Sequence, residues 1–360
     1  MRVYLDHNAT SPLRPAVKAA MLAALEQGGN ASSIHAEGRA ARKLLDEARG
    51  RLAVFLGCLP QMLVFTAGGS EANALALKGA AVERLLVQAT SHPSVIENAR
   101  ASGKPVELVP VDGYGHVDVA ALRRLLPGPR ALLSLILANN ETGVIQPLHE
   151  VLPLARDHGA LLHLDAVQAF GKTPVNFSIL GCDLLTVAGH KVGGPRGVGA
   201  LVIRDGLALA PLISGGGQEN HRRAGTENLA AIAGLAALAA EPLVQTYELN
   251  DRLEDALTGL PIFSDGVERL SNTTCVALPG AAAETLLMQL DLAGIAVSAG
   301  AACSSGKVGK SHVLAAMGVA PELARAAIRI SLGWTTSEAD ITRFITVWQG
   351  IAARHPSKAA

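Results

Sequence analysis

Lys191 follows His190 and precedes the glycine-rich turn Gly193-Gly-Pro-Arg-Gly-Val-Gly199, just after an apolar run. A lysine tethered in a dry crevice can form a Schiff base with an aldehyde cofactor, whereas a lysine taken alone is an ordinary solvated charge. Its company points to the first role. Asp165 closes the apolar run Ala160-Leu-Leu-His-Leu164. A carboxylate at such a strand end can pair with a pyridinium nitrogen, so that the ring accepts the electrons released when a Cα proton leaves. The plainer role for Asp165 is to cap the helix that follows. Thr66-Ala-Gly-Gly-Ser70-Glu-Ala-Asn73 leads into an alanine-rich stretch, gathering backbone N–H groups and a hydroxyl at a helix start, where a phosphate is favoured. Neither the G-x-G-x-x-G fingerprint nor the nucleotide P-loop is present, so the phosphate of pyridoxal phosphate (PLP) fits better than a nicotinamide dinucleotide or ATP.

These residues need elements to hold them. From about residue 15 to residue 240, helical signals alternate with short β-branched or leucine runs, the pattern of strands joined by crossover helices in a mostly parallel sheet. The runs are Met62 to Thr66, Ala131 to Ala138, Ala160 to Leu164, Leu184 to Ala188 and Gly199 to Ile203. Polar or glycine residues follow each run, at the strand ends where α/β sheets open into a crevice. Beyond about residue 245 the pattern shifts to Leu/Ala helices mixed with short strands such as Thr274 to Leu278 and Ile328 to Leu332. The expected fold class is therefore α/β: a large domain over residues 15–245, and a smaller α+β domain formed by residues 1–14 and 246–360.

Composition narrows the partners. Lysine plus arginine equal aspartate plus glutamate at 31 each, so no global field recruits nucleic acid or an anionic membrane. The run Leu229 to Ala240 is too short to span a bilayer and reads as a buried helix. The sequence around Tyr4 has no secretory pattern, and the expectation is a cytoplasmic protein.

Cys58, Cys182, Cys275 and Cys303 are too far apart for a paired metal site, and no metal is expected. Three of them sit in core-like surroundings. Cys303 instead lies in Ser298-Ala-Gly-Ala-Ala-Cys-Ser-Ser-Gly-Lys-Val-Gly-Lys310, too small and glycine-rich to pack a core and expected to be a mobile loop. A thiol there can approach a bound substrate and carry a group outward.

Read in order, Tyr4-Leu-Asp-His-Asn-Ala-Thr10, Gly29-Asn-Ala-Ser-Ser-Ile-His35, Ser91-His-Pro-Ser94, Ala138-Asn-Asn-Glu-Thr-Gly143, His163-Leu-Asp-Ala-Val-Gln168, Gly189-His-Lys191, Arg223-Ala-Gly-Thr226 and Ala301-Ala-Cys-Ser304 resemble the cysteine desulfurases of the class V aminotransferase family. The resemblance runs through nearly the whole chain and implies the PLP-dependent transferase fold. It makes Lys191 the Schiff-base lysine, Asp165 the partner of the pyridine nitrogen, Gln168 a donor to the ring's phenolic oxygen, and His92 a ring-stacking residue and proton donor. Gly69, Ser70 and His190 hold the phosphate, with Thr226 reaching in from the second subunit of a homodimer. Asn140 sits beside substrate and ring oxygen, and Arg329, in Ala327-Ile-Arg-Ile-Ser-Leu332, takes the substrate carboxylate; its plainer reading is a surface charge on an edge strand. The implied reaction turns L-cysteine into L-alanine, leaving a persulfide on Cys303 for a sulfur-acceptor protein in iron-sulfur cluster assembly or thiolation. A selenocysteine lyase, an aminotransferase of the same fold and a non-catalytic family member are the alternatives. The chain departs from the family at Ala188, where a phosphate-binding hydroxyl is usual, and at Ser70, where threonine is common.

Overall fold

Short runs that are apolar on both faces must be covered on both sides, and helices supply that cover. In the computed structural model, which describes residues 2–300 and 310–355, seven strands form one sheet. Their order is Leu63–Thr66, Gly199–Ile203, Leu184–Val187, Leu161–Asp165, Ala131–Ile136, Arg84–Gln88 and Val106–Val109. Neighbours run parallel except at Gly199–Ile203, which is antiparallel to the strands on both its sides. All but the Val106–Val109 edge strand are buried along their whole length.

The expected runs recur with ends shifted by a residue or two. Met62, for instance, closes the 3-10 turn Pro60–Met62 and does not start the strand. Two strands carry charge that hid them. Arg84 is buried because its guanidinium donates to the carbonyls of Leu125, Leu126, Pro127 and Pro129, closing the end of the Val119–Leu125 helix. Leu229–Ala237 is a buried helix as expected, capped by the Asn228 side chain and continued by the 3-10 turn Leu238–Ala240.

A second core gathers Val3 and Leu5 with residues from Leu253 to Ile351. Its sheet sets Ala327–Ser331 between Thr273–Ala277 and Ser298–Ala299, all antiparallel. Against it packs the helix Glu338–Ala352, started by a Ser337/Asp340 capping box and anchored by Phe344 stacked on Trp348 at 5.8 Å. Val3–Tyr4 pairs in parallel with Ile295–Ala296. The segment after it then crosses to the large sheet. The Asn8 N–H donates to Ser331 Oγ at 3.0 Å, and the Ser11 N–H and Oγ donate to the carbonyls of His190 and Lys191, each at 2.8 Å. Among the described residues no helix is long and apolar enough to cross a membrane.

Candidate active site

The parallel strands end on one side of the sheet, and their following loops enclose a cavity of about 310 Å³. Asp165 is the last residue of its strand, in register with Ile136 on one side and Thr186 on the other. That register brings the loop bearing Asn140 and the turn bearing Lys191 to the same edge. Gly69, Ser70, His92, Asn140, Asp165, Gln168, His190, Lys191 and Arg329, all singled out from sequence, line this one cavity.

Asp165 is buried with both oxygens engaged. Oδ2 accepts from Asn73 Nδ2 at 2.8 Å and Oδ1 from the Val167 N–H at 3.0 Å. The helix Gly69–Gly79 opens on the cavity from Gly68, whose φ of 152° suits glycine, and no side chain caps it. Its first amides are therefore available to an anion. Glu71 in that first turn does not repel one strongly, because Arg223 pairs with it at 2.8 Å. Gly69 is there for closeness: a Cβ would come within 2.7 Å of Val167 Cγ2.

Arg329 lies on the central strand of the small sheet and is 3% exposed, so the edge-strand surface charge is not what the fold contains. Its Nη1 donates to the Asn140 carbonyl at 2.9 Å and its Nη2 to Asp6 Oδ1 at 2.8 Å, while Nε has no partner among the described residues. Burial pushes the pKa of His92 down to about 4, aided by nearby Lys191 and His312 and opposed by Asp165. His190 is likewise pushed to about 4, by burial and then by Lys191, Arg196 and Lys172. Both rings are neutral at pH 7.

One of the sequence-derived residues does not line the cavity. Thr226 lines a separate pocket of about 180 Å³ with Phe65, Thr66 and Arg223. Cys303 lies outside the described residues. On either side of its stretch, Ser311 Oγ donates to Glu141 Oε2 at 2.6 Å, and a Cβ on Gly300 would collide with the same oxygen. Burial raises the pKa of Glu141, against the opposing Ser311 hydrogen bond and the charges of His312 and Arg329.

Sequence reasoning missed Asn8, Asn73, Ser94 and Lys172. Asn73 was within reach, since it falls four residues after Gly69 on an alanine-rich helix and so shares its face. Lys172 carries a similar signal, four residues after Gln168. Asn8 and Ser94 were inside quoted motifs, but nothing in their type separated them from ordinary turn residues.

The sequence profile of the family described as Aminotransferase class-V matches residues 3–344. A cysteine desulfurase of Cereibacter sphaeroides is 42% identical, with 96% of this chain and 94% of that protein covered. The solved structure of a NifS-like protein from Rickettsia africae ESF-5 superimposes with a TM-score of 0.89 at 35% identity, over 98% of this chain and all of that one. That of SspA in complex with cysteine gives 0.81 at 29% identity, over 92% and 98%.

Proposed function

This chain belongs to the class-V aminotransferase family and, within it, to the cysteine desulfurases, and from that premise we propose that its cavity converts L-cysteine to L-alanine and hands the sulfur to Cys303. The observation that carries the reading is the convergence of Lys191, Asp165, Gln168, His92 and Arg329 on one cavity.

Members of this family work with pyridoxal phosphate, and the residues here fit that group. Asn73 Oδ1, Asn140 Oδ1 and Arg329 Nε, all of cavity-lining residues, are buried without a hydrogen-bond partner among the described residues. Buried polar atoms of this kind call for a bound molecule or ion. An uncapped helix start suits the phosphate and a buried carboxylate suits the ring nitrogen. In this reading Lys191 tethers the group, and Asp165 holds its ring nitrogen. Gln168 and Asn140 face its ring oxygen, His92 covers its face, and Gly69, Ser70 and His190 hold its phosphate. Thr226, which lines a separate pocket in its own chain, serves a second copy in a homodimer. When bound, the cofactor supplies the electron sink for breaking bonds at Cα.

The chain's own groups do the rest. Lys191 Nζ takes the substrate's Cα proton and returns one. Asp165, with a donor on each oxygen, is fixed in orientation. Arg329 retains donors for the substrate carboxylate, which a guanidinium can grip through two bonds. His92 presents a hydrogen-bond donor to the reacting group.

The three described cysteines are poor candidates for the sulfur-accepting thiol. Burial raises the pKa of Cys58 to about 11 and raises those of Cys182 and Cys275 as well, and none lines the cavity. Thiols that hold their proton so firmly do not attack sulfur at neutral pH. Cys303 takes the role. The balance is L-cysteine plus the Cys303 thiol giving L-alanine plus a Cys303 persulfide: one C–S bond breaks, one S–S bond forms, and the thiol proton ends on the alanine methyl. The sulfur then passes to an acceptor protein in the cytoplasm, for iron-sulfur assembly or thiolation.

An absorbance spectrum before and after L-cysteine, with alanine and sulfide assayed together, tests this. The cofactor band should shift and both products form. Cys303→Ser should keep the band and lose sulfur transfer; alanine and sulfide still formed by that variant would sink the assignment of Cys303.

A further inference from the structure

His92 caps the helix Pro93–Arg100 with its own ring. Its Nδ1 accepts the Ser94 N–H at 3.1 Å, and Ser94 Oγ lies 2.8 Å from the same nitrogen. What that hydroxyl does is decided one step further back. Asn73 Nδ2 lies 2.8 Å from Asp165 Oδ2 and 3.0 Å from Ser94 Oγ. Reversing the amide would set Asn73 Oδ1 against a carboxylate oxygen, acceptor against acceptor. Both amide hydrogens are therefore committed, one to Asp165 and one to Ser94 Oγ. The hydroxyl, receiving one hydrogen, directs its own to His92 Nδ1. With two donors aimed at Nδ1, the ring proton has to sit on Nε2.

We propose that Asn73 and Ser94 are positioning residues that lock His92 as the Nε2–H tautomer, so that His92 offers the cavity a hydrogen bond. The last clause rests on reading the cavity as the active site; the lock does not. The groups facing the ring are Lys191 from the turn after Leu184–Val187, Asp165 from its strand end and His312 from the start of the His312–Ala316 helix. Burial, the largest effect, disfavours a charged ring, as do Lys191 and His312, and Asp165 favours one. The charge balance and the hydrogen bonds thus agree. A neutral imidazole used as an electrophile is sound chemistry for a site that must polarise a group without exchanging protons with water.

The test is long-range 1H–15N correlation on histidine-labelled protein purified with its cofactor, between about pH 5 and 8. His92 is assigned by its disappearance in His92→Gln. The expected wild-type spectrum has Nε2 protonated, Nδ1 bare, and no titration across the range. Ser94→Ala removes one donor to the bare nitrogen and should raise the pKa of His92 by about one unit. Ser94→Thr keeps the hydroxyl and should restore the wild-type spectrum. Asn73→Ala, which leaves the hydroxyl free to rotate, should move the ring the same way as Ser94→Ala but by less. A role confined to packing would lower stability in these variants without moving the nitrogen signals. A proton on Nδ1 in the wild type, ordinary titration near about 6.5, or a Ser94→Ala spectrum identical to the parent overturns the proposal. The readout needs no turnover. A locked tautomer in a protein that forms no alanine would refute the desulfurase reading alone, and turnover with the proton on Nδ1 would refute the lock alone.

Discussion

Lys172 Nζ donates to Gln168 Oε1 at 2.8 Å, four residues back along the chain, from a position 4% exposed to solvent. The same nitrogen donates to Asn8 Oδ1 at 2.5 Å. Burial, then Lys191 and Arg329, pushes the pKa of this lysine well below its ordinary value. With Oε1 held, the Gln168 amide can turn only its Nε2 elsewhere, and one of that nitrogen's hydrogens goes to the Asn8 carbonyl at 3.1 Å. The other is left for the cavity. Lys172→Met keeps the length but strands the buried Gln168 Oε1, while Asn8 Oδ1 keeps its bond from Asn272 Nδ2 at 3.1 Å; a stranded acceptor costs about 1–3 kcal/mol. Urea unfolding should register that loss, and titration of the cofactor-free protein with pyridoxal phosphate should give weaker binding. Unchanged unfolding would mean that the stranded Gln168 oxygen finds another donor.

Ala188 is buried three residues before Lys191, its Cβ 3.8 Å from where a Cβ on Gly69 would lie. It therefore stands beside the uncapped helix start without offering a hydrogen bond. Ala188→Ser adds one oxygen and one donor there. A neutral hydrogen bond contributes on the order of 1 kcal/mol, so cofactor affinity should rise several-fold. Equilibrium dialysis of parent and variant measures this; equal or weaker binding in the variant would mean that the phosphate sits elsewhere.

His163 is wholly buried between Ser134 Oγ at 2.8 Å and Thr186 Oγ1 at 3.0 Å, and burial pushes its pKa to about 4 against the opposing charge of Asp165. In the unfolded chain the ring titrates near about 6.5. Below that pH the unfolded state takes up a proton that the folded state refuses, so stability is full above about 6.5 and falls towards 4. At pH 5 the loss from this one group is about 2 kcal/mol. Denaturant unfolding at pH 7 and pH 5 should show His163→Gln losing less between the two than the parent does, by about that amount. Parallel losses would mean that the folded ring accepts the proton.

Much of the site was legible because its chemistry needs particular residue types at strand ends. An apolar run stopping at Asp165, a lysine before a glycine turn and a glycine turn before an alanine-rich helix are signals that physics attaches to position. Five strands of the large sheet were legible as apolar runs. Arg84–Gln88 was not, because its arginine is satisfied by carbonyls far along the chain and by Glu107, and Val106–Val109 was not, because an edge strand exposes residues such as Glu107. Nothing in the composition of Gly199–Ile203 tells that it runs against its neighbours; direction follows from connection, and here the turn after Lys191 brings the chain straight back. Arg329 could be weighed only against an edge position until its two flanking strands were known. Asn73, Ser94 and Lys172 escaped because their importance lies in which atom they leave for a neighbour, and that is a property of geometry.

The crossing of residues 3–11 between the two cores also bears on when the site can exist during synthesis. Asn8 needs Ser331, 323 positions later in the chain, and Val3 needs Ile295. A ribosome adding about 5–20 residues per second exposes the first partner many seconds before the second. The large sheet can form in that interval, but the wall that Asn8 and Arg329 add to the cavity cannot. A nascent chain is therefore unable to handle reactive sulfur until almost the whole protein has emerged.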